Sequence, residues 1–130
     1  MDDLQAFILA GGASSRMGTD KSLLPIEGQT FTARIAETLL KLTDSVSVVG
    51  RESGLTLPSV PDVYPHWGAL GGLHAALTVC KREWAIVVAC DLPFVTAELF
   101  SFLAEKRMDH EAVVPVQEDE RPQPLAALYR

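Results

Sequence analysis

The residues best suited to chemistry stand in one short run: Leu9-Ala10-Gly11-Gly12-Ala13-Ser14-Ser15-Arg16-Met17-Gly18-Thr19-Asp20-Lys21. Glycine lets a backbone approach a ligand closely and turn its amides inward. A nest of amides beside two cations suits a polyphosphate. Arg16 could grip phosphate oxygens in a bidentate pair, and Lys21 would act as a point charge. The plainer alternative is a strand-to-helix turn with solvent-exposed charges. Two familiar phosphate motifs fail on spacing. A P-loop needs Gly-x-x-x-x-Gly-Lys-Ser/Thr, whereas Thr19 and Asp20 separate Gly18 from Lys21. The dinucleotide fingerprint Gly-x-Gly-x-x-Gly does not start at Gly11-Gly12.

A second candidate is Asp91. It follows the apolar run Trp84 to Cys90 and opens Asp91-Leu92-Pro93. A carboxylate just past a buried parallel strand faces the crevice where such sheets bind ligands. With substrate phosphates it could hold a hard cation such as Mg2+. Turn formation is the competing role, because Asp-x-Pro is good turn chemistry. Asp62 lies in a proline-rich loop, where a solvated acid is the simpler reading. Gly68-Ala69-Leu70-Gly71-Gly72-Leu73 reads as a helix start whose glycines admit either a flat ligand or close helix-on-sheet packing. His66, His74 and His110 have no metal-ligand spacing.

The elements that must position these residues alternate. Leu4 to Leu9 reads as a strand. Thr30 to Leu42 reads as a helix with Phe31, Ile35, Leu39 and Leu42 on one face. Ser45 to Val49 is a short strand. Residues 52–65 contain Pro58, Pro61 and Pro65 and read as loop around a short strand. Gly68 to Cys80 is helical, and Trp84 to Cys90 is a strand buried on both faces. Thr96 caps a helix running to about Arg107, with Leu99 and Leu103 inward and Glu98 in the first turn. Ala112 to Val116 and Leu125 to Tyr129 are the last strands. Alternating strand and helix imply a parallel sheet flanked by helices, in an α/β fold.

With 130 residues the chain is expected to be one domain. Eleven Lys and Arg against seventeen Asp and Glu leave a net charge of −6, which argues against a broad nucleic-acid or membrane-surface binder. Neither Ala6 to Ala10 nor Ala85 to Cys90 is long enough to cross a bilayer. The acidic start, Met1-Asp2-Asp3, is unlike a secretory signal. Cys80 and Cys90 make no disulfide framework and read as small buried hydrophobes of a cytoplasmic protein.

Together these segments resemble a known family. The run Leu9 to Lys21 looks like the signature of nucleotidyltransferases with a Rossmann-like, three-layer fold and a mostly parallel central sheet. Gly68 to Leu73, Ala89-Cys90-Asp91-Leu92-Pro93-Phe94 and Arg121-Pro122-Gln123-Pro124-Leu125-Ala126-Ala127-Leu128-Tyr129 resemble, in order, later motifs of the molybdenum cofactor guanylyltransferases. The resemblance implies transfer of GMP from Mg-GTP to the phosphate of molybdopterin cofactor, with release of pyrophosphate. It implies that Leu9, Ala10, Gly11 and Gly12 line the guanine and ribose side. Arg16 and Lys21 would hold the triphosphate, Asp62 would contact the nucleotide, and Asp91 would be the Mg2+ ligand. The paired glycines at 11 and 12 are similar to the guanine-using branch. Cytidine-using relatives more often have alanine at the first.

Such chemistry needs cations and alignment rather than a covalent nucleophile. A cytidylyl- or other nucleotidyltransferase of the same fold, or a nucleotide-binding module without turnover, are the alternatives. There are departures. The family's asparagine at the end of its second strand has no counterpart in Val48-Val49-Gly50-Arg51, and Ala69 replaces a frequent proline. Family members also continue beyond the motif ending at Tyr129. The chain is therefore expected to lack the C-terminal part of the family fold, which would help form the molybdopterin side. An exposed apolar sheet edge would favour a homo-oligomer. A cofactor-delivery protein is the other partner the resemblance leaves open.

Overall fold

The computed structural model describes residues 3–9, 25–26, 29–50, 58–61, 69–89, 95–116, 122 and 126–130. Strand β1 is Leu4–Leu9, β2 Pro25–Ile26, β3 Gln29–Thr30, β4 Val46–Val49 and β5 Ser59–Val60. Strand β6 is Trp84–Ala89, β7 Ala112–Val113 and β8 Ala126–Tyr129. The helices are α1 (Phe31–Leu40), α2 (Ala69–Val79) and α3 (Ala97–Glu105). Six strands form one sheet in the order β5-β4-β1-β6-β8-β7, and β2 pairs with β3 in a separate hairpin. That hairpin was not anticipated from the sequence. Its strands are two residues long, too short for a period to show.

Strands β5, β4, β1 and β6 run parallel. The sheet is thus mostly parallel, as expected. Strand β8 lies antiparallel to both β6 and β7. It follows β7 directly as a hairpin partner, a connection that needs no crossover helix. The antiparallel bridge between Val116 and Pro122 belongs to the same reversal. The expected strand through Val116 is shorter, ending at Val113.

Two cores flank the sheet. On one face Ile35, Leu39 and Leu42 meet Leu4, Ala6, Ile8, Ile86 and Val88, joined by Phe100, Leu103 and Ala104 of α3. The side chain of Phe31 lies outside the described residues. On the other face α2 packs Ala75 and Ala76 against Phe7, Leu9, Val49 and Val87. Strand β6 is buried on both faces, as its apolar run requires.

Helix α3 begins as its sequence demands. Thr96 is extended at the N-cap and its hydroxyl accepts from the Leu99 amide at 3.2 Å. Glu98 lies in the first turn. Leu103 is buried and Leu99 packs partly buried against the core, as expected; Phe100, which the spacing did not single out, is fully buried. Cys80, expected in the core, is half-buried at the end of α2 and is a free thiol, while Cys90 lies outside the described residues. Among the described residues no helix is long and apolar enough to cross a membrane.

Candidate functional site

Strand register builds the site. Val60 pairs with Val49, Val49 with Leu9, and Leu9 with Ala89. The carboxyl ends of four parallel strands therefore form a single row across the sheet. At about 4.8 Å between strands, that row spans roughly 14 Å. Chain leaves it at every position that the sequence marks for chemistry. Residues 10–24 follow Leu9, residues 62–68 follow Pro61 at the end of β5, and residues 90–94 follow Ala89.

The row also contains the point where the connections diverge. Helix α1 carries the chain from β1 toward β4, and α3 carries it from β6 toward the opposite edge. Both helices pack on the same face. The crevice between the ends of β1 and β6 is thus a topological switch point, where open α/β sheets bind their ligands.

The row itself is apolar. Leu9 is only 6% exposed, and Val49 is buried. At its β4 position the chain turns at Gly50, whose φ of 97° is one that L side chains rarely adopt, and the Gly50 amide donates to the Val60 carbonyl at 2.8 Å. Opposite Leu9 stands Gly72 of α2. A Cβ on Gly72 would lie 3.3 Å from Leu9 Cδ2 and 3.5 Å from Cδ1. For Gly72, the structure therefore shows close helix-on-sheet packing. The signal was in the sequence as paired glycines, but the partner was not.

Of the nucleotide and metal residues expected from the sequence, Leu9 lies within the description. Ala10, Gly11, Gly12, Arg16, Lys21, Asp62 and Asp91 lie outside the described residues. His74 and His110 are exposed. Among the described residues no group of three or more His, Cys, Asp or Glu could hold a metal ion.

The described perturbed groups sit away from the row. The Arg82 guanidinium holds the Asp44 carboxyl below the usual carboxylate range, and burial raises the Tyr129 phenol. Asp44 precedes β4, and Tyr129 pairs with Ala85 near the start of β6. A 420 Å3 cavity opens at that same far end, lined by Asp3, Glu83, Trp84, Arg107 and Arg130 among others. Two ion pairs stand in its lining: Arg107 meets Asp3 at 2.9 Å and Arg130 meets Glu83 at 3.2 Å.

A doubly wound α/β sheet whose loops leave from one row beside a strand-order switch defines a class of ligand-binding domains. Within that class the chain belongs to the MobA-like NTP transferase domain family, which its residues 6–130 match. It is 37% identical over 129 residues to a probable molybdenum cofactor guanylyltransferase of Clostridium perfringens, a match covering 96% of this chain and 65% of that protein. The chain thus spans just under two thirds of that relative's length. A crystal structure of an Aquifex aeolicus protein superposes with a TM-score of 0.78 at 28% identity, over 98% of this chain and 69% of that one. The molybdopterin-guanine dinucleotide biosynthesis protein A of Archaeoglobus fulgidus shares the fold, with a TM-score of 0.76 at 24% identity over 96% and 66% of the two chains.

Proposed function

We propose that this chain is a single nucleotidyltransferase domain of the cytoplasm, where GTP is available, that transfers GMP from GTP to the phosphate of molybdopterin cofactor. The observation that carries the reading is the Val60–Val49–Leu9–Ala89 row at the switch point. It draws the glycine-rich run, the Asp62 segment and the Asp91 segment from one edge of the sheet. The name of the C. perfringens relative supplies the substrates.

In the reaction, an oxygen of the molybdopterin phosphate attacks the α-phosphorus of GTP. A new phosphorus–oxygen bond forms, the bond to the α–β bridging oxygen breaks, and pyrophosphate leaves with that electron pair. Arg16 and Lys21 hold the triphosphate and offset its charge as the acceptor anion approaches. Leu9, Ala10, Gly11 and Gly12 line the guanine and ribose side, and Asp62 contacts the nucleotide. Asp91 is the metal ligand. It follows Ala89 by two residues, at most about 7 Å of chain. One carboxylate with phosphate oxygens is a donor set that fits Mg2+. When bound, Mg2+ would neutralise phosphate charge and align the α-phosphate.

Calorimetric titration with GTP and CTP, each with and without Mg2+, tests the nucleotide. Mg2+-dependent GTP binding with weak CTP binding is expected. Equal or tighter CTP binding would point to a cytidylyltransferase, and no binding of either would sink the nucleotide site. Pyrophosphate release on adding molybdopterin tests turnover. Its absence despite GTP binding would make this chain a binding module.

A further inference from the structure

We infer that Gly72, on the sheet side of α2, is a positioning residue for the nucleotide site, acting through Leu9. The inference rests on the functional reading above and adds a residue to it.

A Cβ at Gly72 would meet one Leu9 atom more closely than most side-chain contacts, so a neighbour would have to give by a few tenths of an ångström. The branched end of Leu9 stands against the place of the missing Cβ, with Cδ2, Cδ1 and Cγ at 3.3, 3.5 and 3.6 Å from it. Leu9 has little room to yield, because it is buried in a cluster with Phe7, Val49, Ala75, Ala76, Ala85 and Val87. Helix α2 meets that cluster through Gly72, Ala75 and Ala76, so its axis lies close to the sheet. An added methyl has two outlets: Leu9 shifts, or the first turns of α2 lift.

Both outlets lead to the same place. The Leu9 carbonyl is bonded to Ala10, the first residue of the glycine-rich run. The start of α2 at Ala69 follows directly on residues 62–68, which include Asp62. A displacement of a few tenths of an ångström at Gly72 is therefore delivered to one or the other segment proposed to hold GTP. Glycine is otherwise a poor choice in a helix interior, where alanine is preferred. A purely local helix requirement would not select it at this position.

The test is GTP affinity of the Gly72→Ala chain, measured by calorimetry beside its melting temperature. Affinity is expected to fall about tenfold while melting changes little, because better helix propensity offsets the crowding. In a turnover assay the loss should appear in KM for GTP with kcat within about twofold. Adding Leu9→Val, which shortens the opposing side chain, should recover part of the affinity lost in G72A. Leu103→Ala, in the core on the other face, should lower melting without changing GTP affinity.

Unchanged GTP affinity in G72A would overturn the assignment. So would an equal loss in L103A, because the effect would then follow stability alone. Should G72A fail to fold, Ala75→Gly decides: it loosens the same helix-on-sheet seam at a residue outside the proposed nucleotide site, and unchanged GTP affinity there overturns the assignment. Failure of the wild-type chain to bind GTP would overturn the functional reading and this one together. Normal wild-type binding with a silent G72A would overturn this one alone.

Discussion

Arg82 and Thr43 donate to the same carbonyl: Arg82 Nη1 reaches Leu4 O at 2.8 Å, and Thr43 Oγ1 reaches it at 2.7 Å. The two donors also meet each other, with Nη1 3.0 Å from Thr43 Oγ1. The Ser45 amide adds a third bond to that hydroxyl at 3.2 Å. One buried threonine thus ties together the amino ends of β1, β4 and β6, at the opposite end of the sheet from the candidate site.

Thr43→Val tests that tie. It keeps the shape and removes the hydroxyl from a residue that is 5% exposed. A cost of about 1–3 kcal/mol is expected, because the Ser45 amide and one Arg82 donor lose their acceptor. For a chain of this size, melting should drop by several degrees. GTP affinity should not change. Undiminished melting would show that water replaces the hydroxyl without loss.

The same arginine makes stability depend on pH. Its hydrogen bond to Asp44 at 2.9 Å, and then its charge, lower the Asp44 pKa. A lowered folded-state value means that the contribution is present above the titration of the unfolded carboxyl, near pH 4, and is lost as pH falls through the folded value. Asp44 is exposed, so the contribution is small and weakened by salt. Asp44→Asn should melt slightly below wild type at neutral pH and level with it in strong acid. A gap that widened on acidification would contradict the pairing.

Helix α3 offers a comparison between neighbours. Phe100→Ala should cost about 3–5 kcal/mol, because it empties a fully buried ring site. Leu99→Ala should cost clearly less, since that side chain is only partly buried. Thr96→Ala should cost about 1 kcal/mol through the lost N-cap. Urea unfolding curves for the three variants would rank them, and a larger loss at Leu99 than at Phe100 would mean the helix is rotated from the orientation described.

Asp91→Asn and Lys21→Ala probe the proposed chemistry. D91N should retain its melting temperature and lose about a hundredfold or more of Mg2+-dependent pyrophosphate release. K21A should weaken GTP binding about tenfold by removing a phosphate partner. Normal turnover by D91N would remove Asp91 as the metal ligand. Normal GTP affinity in K21A would detach the glycine-rich run from the triphosphate.

Much of the architecture was legible because its signals are local. The apolar run Leu4–Leu9, the spacing of Ile35 and Leu39, and the cap at Thr96 each declare an element within a few residues. The burial of Phe100 beside Leu99 was not legible, because adjacent apolar residues on a short helix leave its rotation about its axis open. The candidate site was legible as residue types and motif order, which need no coordinates.

By itself the sequence determined the element types, the strand-end positions of the glycine-rich run and Asp91, and the family resemblance. All of these are properties of short segments or of their order. Only the tertiary structure decided that β8 enters the sheet antiparallel between β6 and β7, that Val60, Val49, Leu9 and Ala89 end in one row, and that Gly72 closes on Leu9. Those are relations between segments tens of residues apart. Strand pairing and side-chain packing set them, and neither leaves a period in the local sequence.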